Sequence, residues 1–404
     1  MSELSPARRF LPVILTVPLL ATAVGIDGSS MFQILATENL HLSPRVIGLA
    51  FGLGVASIPF QLMAARIPLW SARRNLRLFI MIMVGLTMAV AALVAVEATG
   101  APAALALVIT VVAEIAVSVL YATSFQPIIS YELDTTQRQR LGRIGRPLGS
   151  LITAAVLLVF GAVGPSWRAA MLALIAAAGL WTAAQIRHLA VVPRPAVVAA
   201  SAEPVAANIP PAMRHLYLCF ALTGFGAWPL LIVYLHVVLW PTAHLGVIAA
   251  IELTGGLVAS LAMRPTAAGL VRRARGGALG VVVAAAAVAL VRAPVRPNAA
   301  KAVVLVAVFA SAFGLTVMRT ALFEMAHRCT DESSSVKAFT LLDVIASSSV
   351  QFGLLVGGSL IAWSADSSWP VDPYRLFVLA FVCAAAAVVA RLRDTPETHE
   401  TAPG

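Results

Sequence analysis

The chain has 404 residues, 60% of them hydrophobic and only 11% charged, with a mean hydropathy of +0.92. Soluble domains are about a quarter charged, so this composition excludes a water-soluble fold and points to an integral membrane protein. The net charge of +10 comes without aromatic-interleaved basic patches or a nucleic-acid motif. No nucleic-acid partner is expected, and the arginines read as cytoplasmic loop charges that orient a membrane protein.

A spanning helix needs roughly 20 mostly apolar residues. Twelve stretches qualify, at about 10–38, 44–65, 76–97, 102–130, 147–164, 168–187, 214–240, 243–263, 277–292, 301–327, 337–363 and 374–391. Their apolar runs are continuous and not alternating, which predicts an all-α bundle and argues against a barrel. The first stretch is too long for a leader's apolar core and is expected to stay as span 1. With the N-terminus inside, most of the 28 Lys and Arg residues fall in cytoplasmic segments. That bias predicts an even number of spans, both termini in the cytoplasm, and the inner (plasma) membrane as the location.

The stretch 190–213 is rich in Pro, Ala and Val and reads as a cytoplasmic linker. It divides the chain into a six-helix bundle at 1–189 and a second at 214–393, with a disordered tail at 394–404. A faint repeat supports the division. "VGIDG" at 24–28 lies on "TGFGA" at 223–227, and Arg73-Arg74 on Arg272-Arg273, at one common offset. Cys219, Cys329 and Cys383 are far apart, with no metal-binding spacing. They read as small buried hydrophobes, and no metal or cofactor is expected.

The 6+6 pattern, the central linker and the echoed Arg-rich loops resemble the major facilitator superfamily of secondary transporters. "LSPRVIGLAFGLGVASIPFQLMAARI" at 42–67 is similar to that family's entry into span 2. "TQRQRLGRIGRPLGSLI" at 136–152 is similar to its turn from span 4 to span 5, and "RIGRPLG" within it reads as a loop-to-helix turn. The family's loop between spans 2 and 3 runs Gly-x-x-x-Asp-Arg-x-Gly-Arg-Arg. Here Arg73 and Arg74 match, while Ala65, Leu69, Trp70 and Ala72 replace the Gly, Asp, Arg and Gly. The span 5 Gly-Pro motif of the family's drug/proton antiporters is missing. The resemblance implies a cavity near the membrane midplane, lined by spans 1, 4, 7 and 10.

Polar residues in those spans are the candidate site, because intramembrane charge is expensive and usually functional. In span 1, Asp27 shares a helical face with Ser30, Thr37 and Glu38. In span 4, Glu114, Ser118, Tyr121 and Phe125 form a stripe suited to an amphipathic ligand. Asp27 and Glu114 are the expected proton-coupling groups, and each has a helix-packing role as its alternative. In span 7, "GFGAWPLL" predicts a bend, with Trp228 against ligand or packed in the bundle. Arg319 and Glu324 in span 10 lie five apart and do not simply pair. An Arg319–Asp343 bridge between spans 10 and 11 is expected as a gate or a structural pair, and an anionic substrate is the other partner open to Arg319. Glu252 in span 8 either supports the proton path or pairs with Arg319. Arg73 and Arg74 complete the expected charge network.

No Walker A sequence is present, so a gradient is the expected energy source. The favoured expectation is a proton-coupled exporter, an antiporter of small amphipathic or lipophilic molecules, working as a monomer. Uptake by proton symport is the alternative. A membrane sensor or enzyme on the same scaffold is a third reading, although no nucleophile–base or metal constellation can be named and no enzyme activity is expected.

Overall fold

The structure is a computed structural model. It describes residues 6–26, 29–60, 71–96, 102–121, 123–133, 135–189, 191, 211–225, 228, 230–263, 269–296, 298–328, 332–366 and 372–392. Each of the twelve apolar stretches is mainly helical over its described residues, and no strand occurs among the described residues. A segment in lipid must satisfy its own backbone, and a helix does this locally.

The first stretch is two helices, α1 (Leu11–Val24) and α2 (Ser30–Ile34). Then come α3 (Pro44–Gly52), α4 (Ala72–Ala95), α5 (Pro102–Ala116), α6 (Phe125–Glu132), α7 (Thr135–Ala162) and α8 (Pro165–Gln185). The later part holds α9 (Pro211–Phe225), α10 (Leu231–Tyr234), α11 (Leu245–Ala262), α12 (Leu270–Leu290), α13 (Asn298–Arg328), α14 (Glu332–Asp366) and α15 (Pro373–Ala390). Among the described residues, seven helical stretches are long and apolar enough to cross a membrane, and shorter apolar helices lie at Pro44–Phe60, Leu105–Tyr121 and Pro147–Ala162.

Local chemistry sets several ends. Pro44, Pro165 and Pro373 each open a helix, where the missing N–H costs nothing. The Ser43 side chain caps α3 by accepting from Val46 N. The Asp372 carboxylate caps α15 by accepting from Tyr374 N and Arg375 N.

Two expectations are corrected. The first concerns span 1, which breaks after Val24. Gly25 is left-handed (φ 87), and a methyl built on it would stand 2.6 Å from the Phe51 ring. Ser29 Oγ donates to Thr22 O at 2.8 Å, so a carbonyl freed by the break is recovered. The face read from 27 to 38 is therefore not one continuous helical stripe. The second concerns "RIGRPLG", which lies inside α7 and is not a turn. Pro147 is tolerated within that helix, and a methyl on Gly145 would stand 2.9 Å from Ile14 of α1.

The two sets of helices repeat one packing plan. In the first, α1 packs on α7 and α8, and α4 packs on α8. In the second, α9 packs on α14 and α15, and α12 packs on α15. Across the sets, α7 meets α11, α3 meets α14, and α2 meets α10 and α11. The breaks repeat as well. α2 runs into a π-helical turn at Leu35–Asn39, and α10 runs into another at Leu235–Leu239.

The closest approaches between the sets lie towards one end of the bundle. A methyl on Gly161 would stand 2.4 Å from Gly246 Cα, and one on Gly48 would stand 2.7 Å from Gly358 Cα. These contacts are backbone against backbone, and only glycine permits them. One apolar core runs through both sets, including Leu20, Phe51, Phe160, Leu245, Leu354 and Tyr374. A separate core, including Leu216, Phe220, Leu270, Leu322 and Val389, belongs to the second set alone.

Candidate functional site

Two carboxylates sit where the sets meet. Ser30 Oγ of α2 donates to Glu252 Oε2 of α11 at 3.4 Å, a hydrogen bond that spans the seam. Glu114 of α5 is buried, at 6% exposure. A methyl on Gly54 would stand 3.0 Å from Glu114 Cγ and 2.8 Å from Gln351 Nε2. Gly54 therefore leaves room for Glu114, from the first set, and Gln351, from the second, to approach the same point.

Gln351 was not legible as a site residue. It is fully buried, and among the described residues neither its Oε1 nor its Nε2 has a hydrogen-bond partner. A buried polar group in that state costs about 1–3 kcal/mol, so the carboxamide is a ready donor and acceptor. Ser118 and Ser57 are buried near this level of the first set.

The stripe predicted in span 4 is interrupted. α5 passes into a π-helical turn at Val117–Tyr121, and α6 starts at Phe125. Wide turns of this kind shift the faces that follow and recur at functional sites. Tyr121 stacks on Phe125 at 5.2 Å and packs against Phe79 at 5.1 Å, while Phe125 meets Phe10 edge-on at 6.3 Å. The two rings join an aromatic cluster within the first set, with Glu114 and Ser118 nearer the seam.

Trp228 is buried inside the second set. It lies 6.4 Å from Tyr374 and lines a small void with Leu231, Leu235, Val288 and Val304. Trp228 and Leu230 have φ of 49 and 62, a left-handed region that non-glycine residues adopt at a cost of about 1–3 kcal/mol. The bend predicted for span 7 is a break of this kind.

Arg319 is half-buried on α13, and Glu324 is exposed. Asp27 and the side chain of Asp343 lie outside the described residues. Arg74 is exposed, while Arg73 Nη1 donates to Arg187 O and Leu189 O at 3.3 and 3.4 Å, closing the end of α8. Arg275 Nη2 does the same for α15, donating to Leu392 O at 2.6 Å. The equivalent of Arg73 is thus Arg275, and the sequence pairing with Arg272 is out of register by a few residues.

Each set also holds an arginine at its closed end, Arg168 buried and Arg375 half-buried. Arg168 donates to Glu38 Oε2 at 2.6 Å, Asn39 Oδ1 at 2.7 Å and Phe160 O at 3.0 Å. Arg375 bridges Asp372 at 3.2 Å and donates to Tyr234 Oη and to the last carbonyls of α12, including Ala289 O at 3.3 Å. Tyr234 Oη donates to Asp372 Oδ2 at 2.6 Å. Among the described residues, no group of three or more His, Cys, Asp or Glu side chains is placed to hold a metal ion.

No protein-family pattern matches the chain, and no curated protein matches it in sequence. Solved structures do match, over nearly the full length of both chains. A variant of the nucleoside transporter NupG overlays with a TM-score of 0.70 at 12% identity, covering 96% of this chain and 98% of that one. The chain has the major facilitator superfamily fold. A bacterial homologue of the iron transporter ferroportin, inward-facing, overlays on this fold with a TM-score of 0.65 at 14% identity, covering 96% and 99%. The same homologue outward-facing gives 0.59 at 15%, covering 94% and 98%. A bacterial homologue of the human lysosomal transporter Spinster, inward-facing and occupied, gives 0.63 at 16%, covering 96% and 97%.

Proposed function

We propose that the chain is a secondary transporter that exports a small amphipathic molecule across the inner membrane in exchange for protons. In this reading the twelve stretches are twelve spans in two bundles, 1–189 and 214–393, joined by a cytoplasmic linker at 190–213. Both termini face the cytoplasm, and one copy suffices. The arginine bias supports that orientation and makes the sealed end the outer one. The better overlay on the inward-facing ferroportin homologue supports the same assignment. The solved structures similar to this chain are a nucleoside transporter and homologues of iron and lysosomal transporters. Their shared feature, movement of a solute, carries over to this reading, and their individual solutes do not.

One observation carries the proposal. The two sets meet through bare glycine contacts above a carboxylate, Glu252, that is hydrogen-bonded across the seam by Ser30. A seal of this kind can part, and protonation of the carboxylate changes the bond that spans it. Alternating access requires that kind of two-state contact. Asp27 and Glu114 remain the other proton-coupling candidates, with Ser30, Ser118, Tyr121, Phe125 and Trp228 assigned to the substrate. Arg319, Glu324, Asp343, Arg73 and Arg74 are assigned to the charge network.

The test is proton flux in proteoliposomes, measured with a trapped pH dye while lipophilic cations, neutral antibiotics, nucleosides and sugars are added in turn. At least one compound should release protons in the wild type, and a protonophore should erase the signal. Glu252→Gln should keep substrate exchange but lose its dependence on the pH gradient. Absence of substrate-dependent proton movement across the panel, in protein that binds one of the compounds, would remove the coupling claim.

A further inference from the structure

The seam between span 2 and α14 closes from one end and reaches down to Gln351. A methyl on Gly48 would stand 2.7 Å from Gly358 Cα, one on Gly52 2.6 Å from Leu355 Cβ, and one on Gly54 2.8 Å from Gln351 Nε2. Gly54 lies about 15 Å along the span from Pro44, or roughly half the thickness of a bilayer's apolar core. Past this level Val55, Ala56, Pro59 and Phe60 on span 2 are exposed, and Ser347 and Ser348 on α14 are half-exposed. Gln351 thus sits at the foot of the seal, at mid-depth.

Its carboxamide is fully buried, with Oε1 and Nε2 both unpartnered among the described residues. Glu114, Ser57 and Ser118, buried near this level, have interactions of their own. The first-set side of this point is tied together. Thr110 Oγ1 of α5 donates to Ala50 O of α3 at 2.8 Å, so Gly54 and Glu114 are held in one body, apart from Gln351. What covers the carboxamide is the turn Leu53–Ser57, where span 2 tightens from an α-helix to a 3-10 helix. Tightening of this kind within a helix often marks a hinge. With glycine at the contact, a small shift of that turn uncovers the amide.

We infer that Gln351 reads the substrate, and that the substrate presents an amide edge, an N–H beside a C=O, as in a primary carboxamide or a lactam. The inference rests on the transport reading above for the role of this ligand as substrate. A carboxamide offers an acceptor and a donor side by side, and here both are free at once. A carboxylate or an ammonium would satisfy one of them, and an ester accepts without donating. An amide edge satisfies both in one plane, the pairing by which a glutamine reads an adenine edge. The body of the ligand follows from the rings. Tyr121 is half-buried about 10 Å along span 4 from Glu114, at the edge of its cluster with Phe125 and Phe79. A flat apolar group of that reach joins the amide to the rings.

The experiment is calorimetric titration of the purified full chain in mild detergent with benzamide, nicotinamide and cinnamamide, each against its methyl ester. At least one amide should bind about 10-fold more tightly than its ester, the worth of one hydrogen bond. Gln351→Leu should bind the two members of that pair equally and keep its affinity for the ester, which loss of a merely structural side chain would not produce. A melting curve confirms that the variant is folded. The trapped-dye assay is then run on the same pair. A binding preference without proton release would sink the exporter reading and leave amide recognition standing. The inference is overturned if no amide outbinds its ester, or if Gln351→Leu keeps the preference.

Discussion

The two sets of helices share a packing plan but not its details. Both interrupt their first helix after about 14 residues, restart it for a single turn, and finish on a π-helical turn. The first set makes its break with a left-handed glycine, Gly25. The second uses Trp228 and Leu230, for which the same backbone region is strained. At the closed end, Arg168 pairs with Glu38 and Asn39 of the helix it docks on. Arg375 pairs with a carboxylate of its own helix start, plus a tyrosine and three carbonyls. Two copies of one plan have thus solved each structural requirement with different residues. What they have in common is the geometry that the plan demands.

The largest effect should come from the contact that neither copy can alter. Gly161→Leu puts a side chain where Gly246 Cα already sits, so the closed end cannot form. Transport should fall at least ~100-fold, with the protein still folded. Cysteine labelling at the closed end, raised in the variant, checks that the loss is a trapped conformation and not unfolding. Labelling equal to wild type would break the claim that this contact is the seal.

Next is the arginine pair. Arg375→Ala should destabilise by about 3–5 kcal/mol, because Asp372 and several carbonyls lose a buried partner. Arg168→Ala should cost about 2 kcal/mol, since the Glu38 carboxylate is more exposed and can be rehydrated. Parallel melting curves rank the two, and the reverse order would show that the second cluster is not the more demanding one. Phe79→Ala in the first set, which removes a fully buried ring packed against Tyr121, should cost about 3 kcal/mol. A much smaller loss would mean that α4 and α5 collapse onto the space.

The smallest expected change is Gln351→Leu. Removal of a buried carboxamide that has no partner among the described residues should raise stability by about 1 kcal/mol. Substrate turnover should fall if the amide reads the ligand. A variant both more stable and fully active would reduce Gln351 to a packing residue.

Much of this architecture was legible in the sequence. The apolar runs locate the helices because lipid leaves the backbone few alternatives. Glu114 and Glu252 stood out because a carboxylate in an apolar run is costly. Other features carry no local signal. Gln351 stands two residues after a run of three serines and looks like part of an ordinary polar patch until α3 folds against its helix. The break at Gly25 was hidden because a glycine in an apolar run is equally consistent with close helix packing, which Gly25 also does. "RIGRPLG" misled because its Pro and Gly are turn formers, yet here α1 packs against the helix through Gly145.

The glycine seal has a thermodynamic consequence. Backbones this close can exchange Cα–H···O contacts, as where Gly246 faces Leu157 O and Gly358 faces Pro44 O. Each is worth about 0.5–1 kcal/mol. In the proposed exchange cycle, a seal built from such contacts is cheap to open. Its balance lies within reach of the few kcal/mol that one bound molecule or one proton supplies.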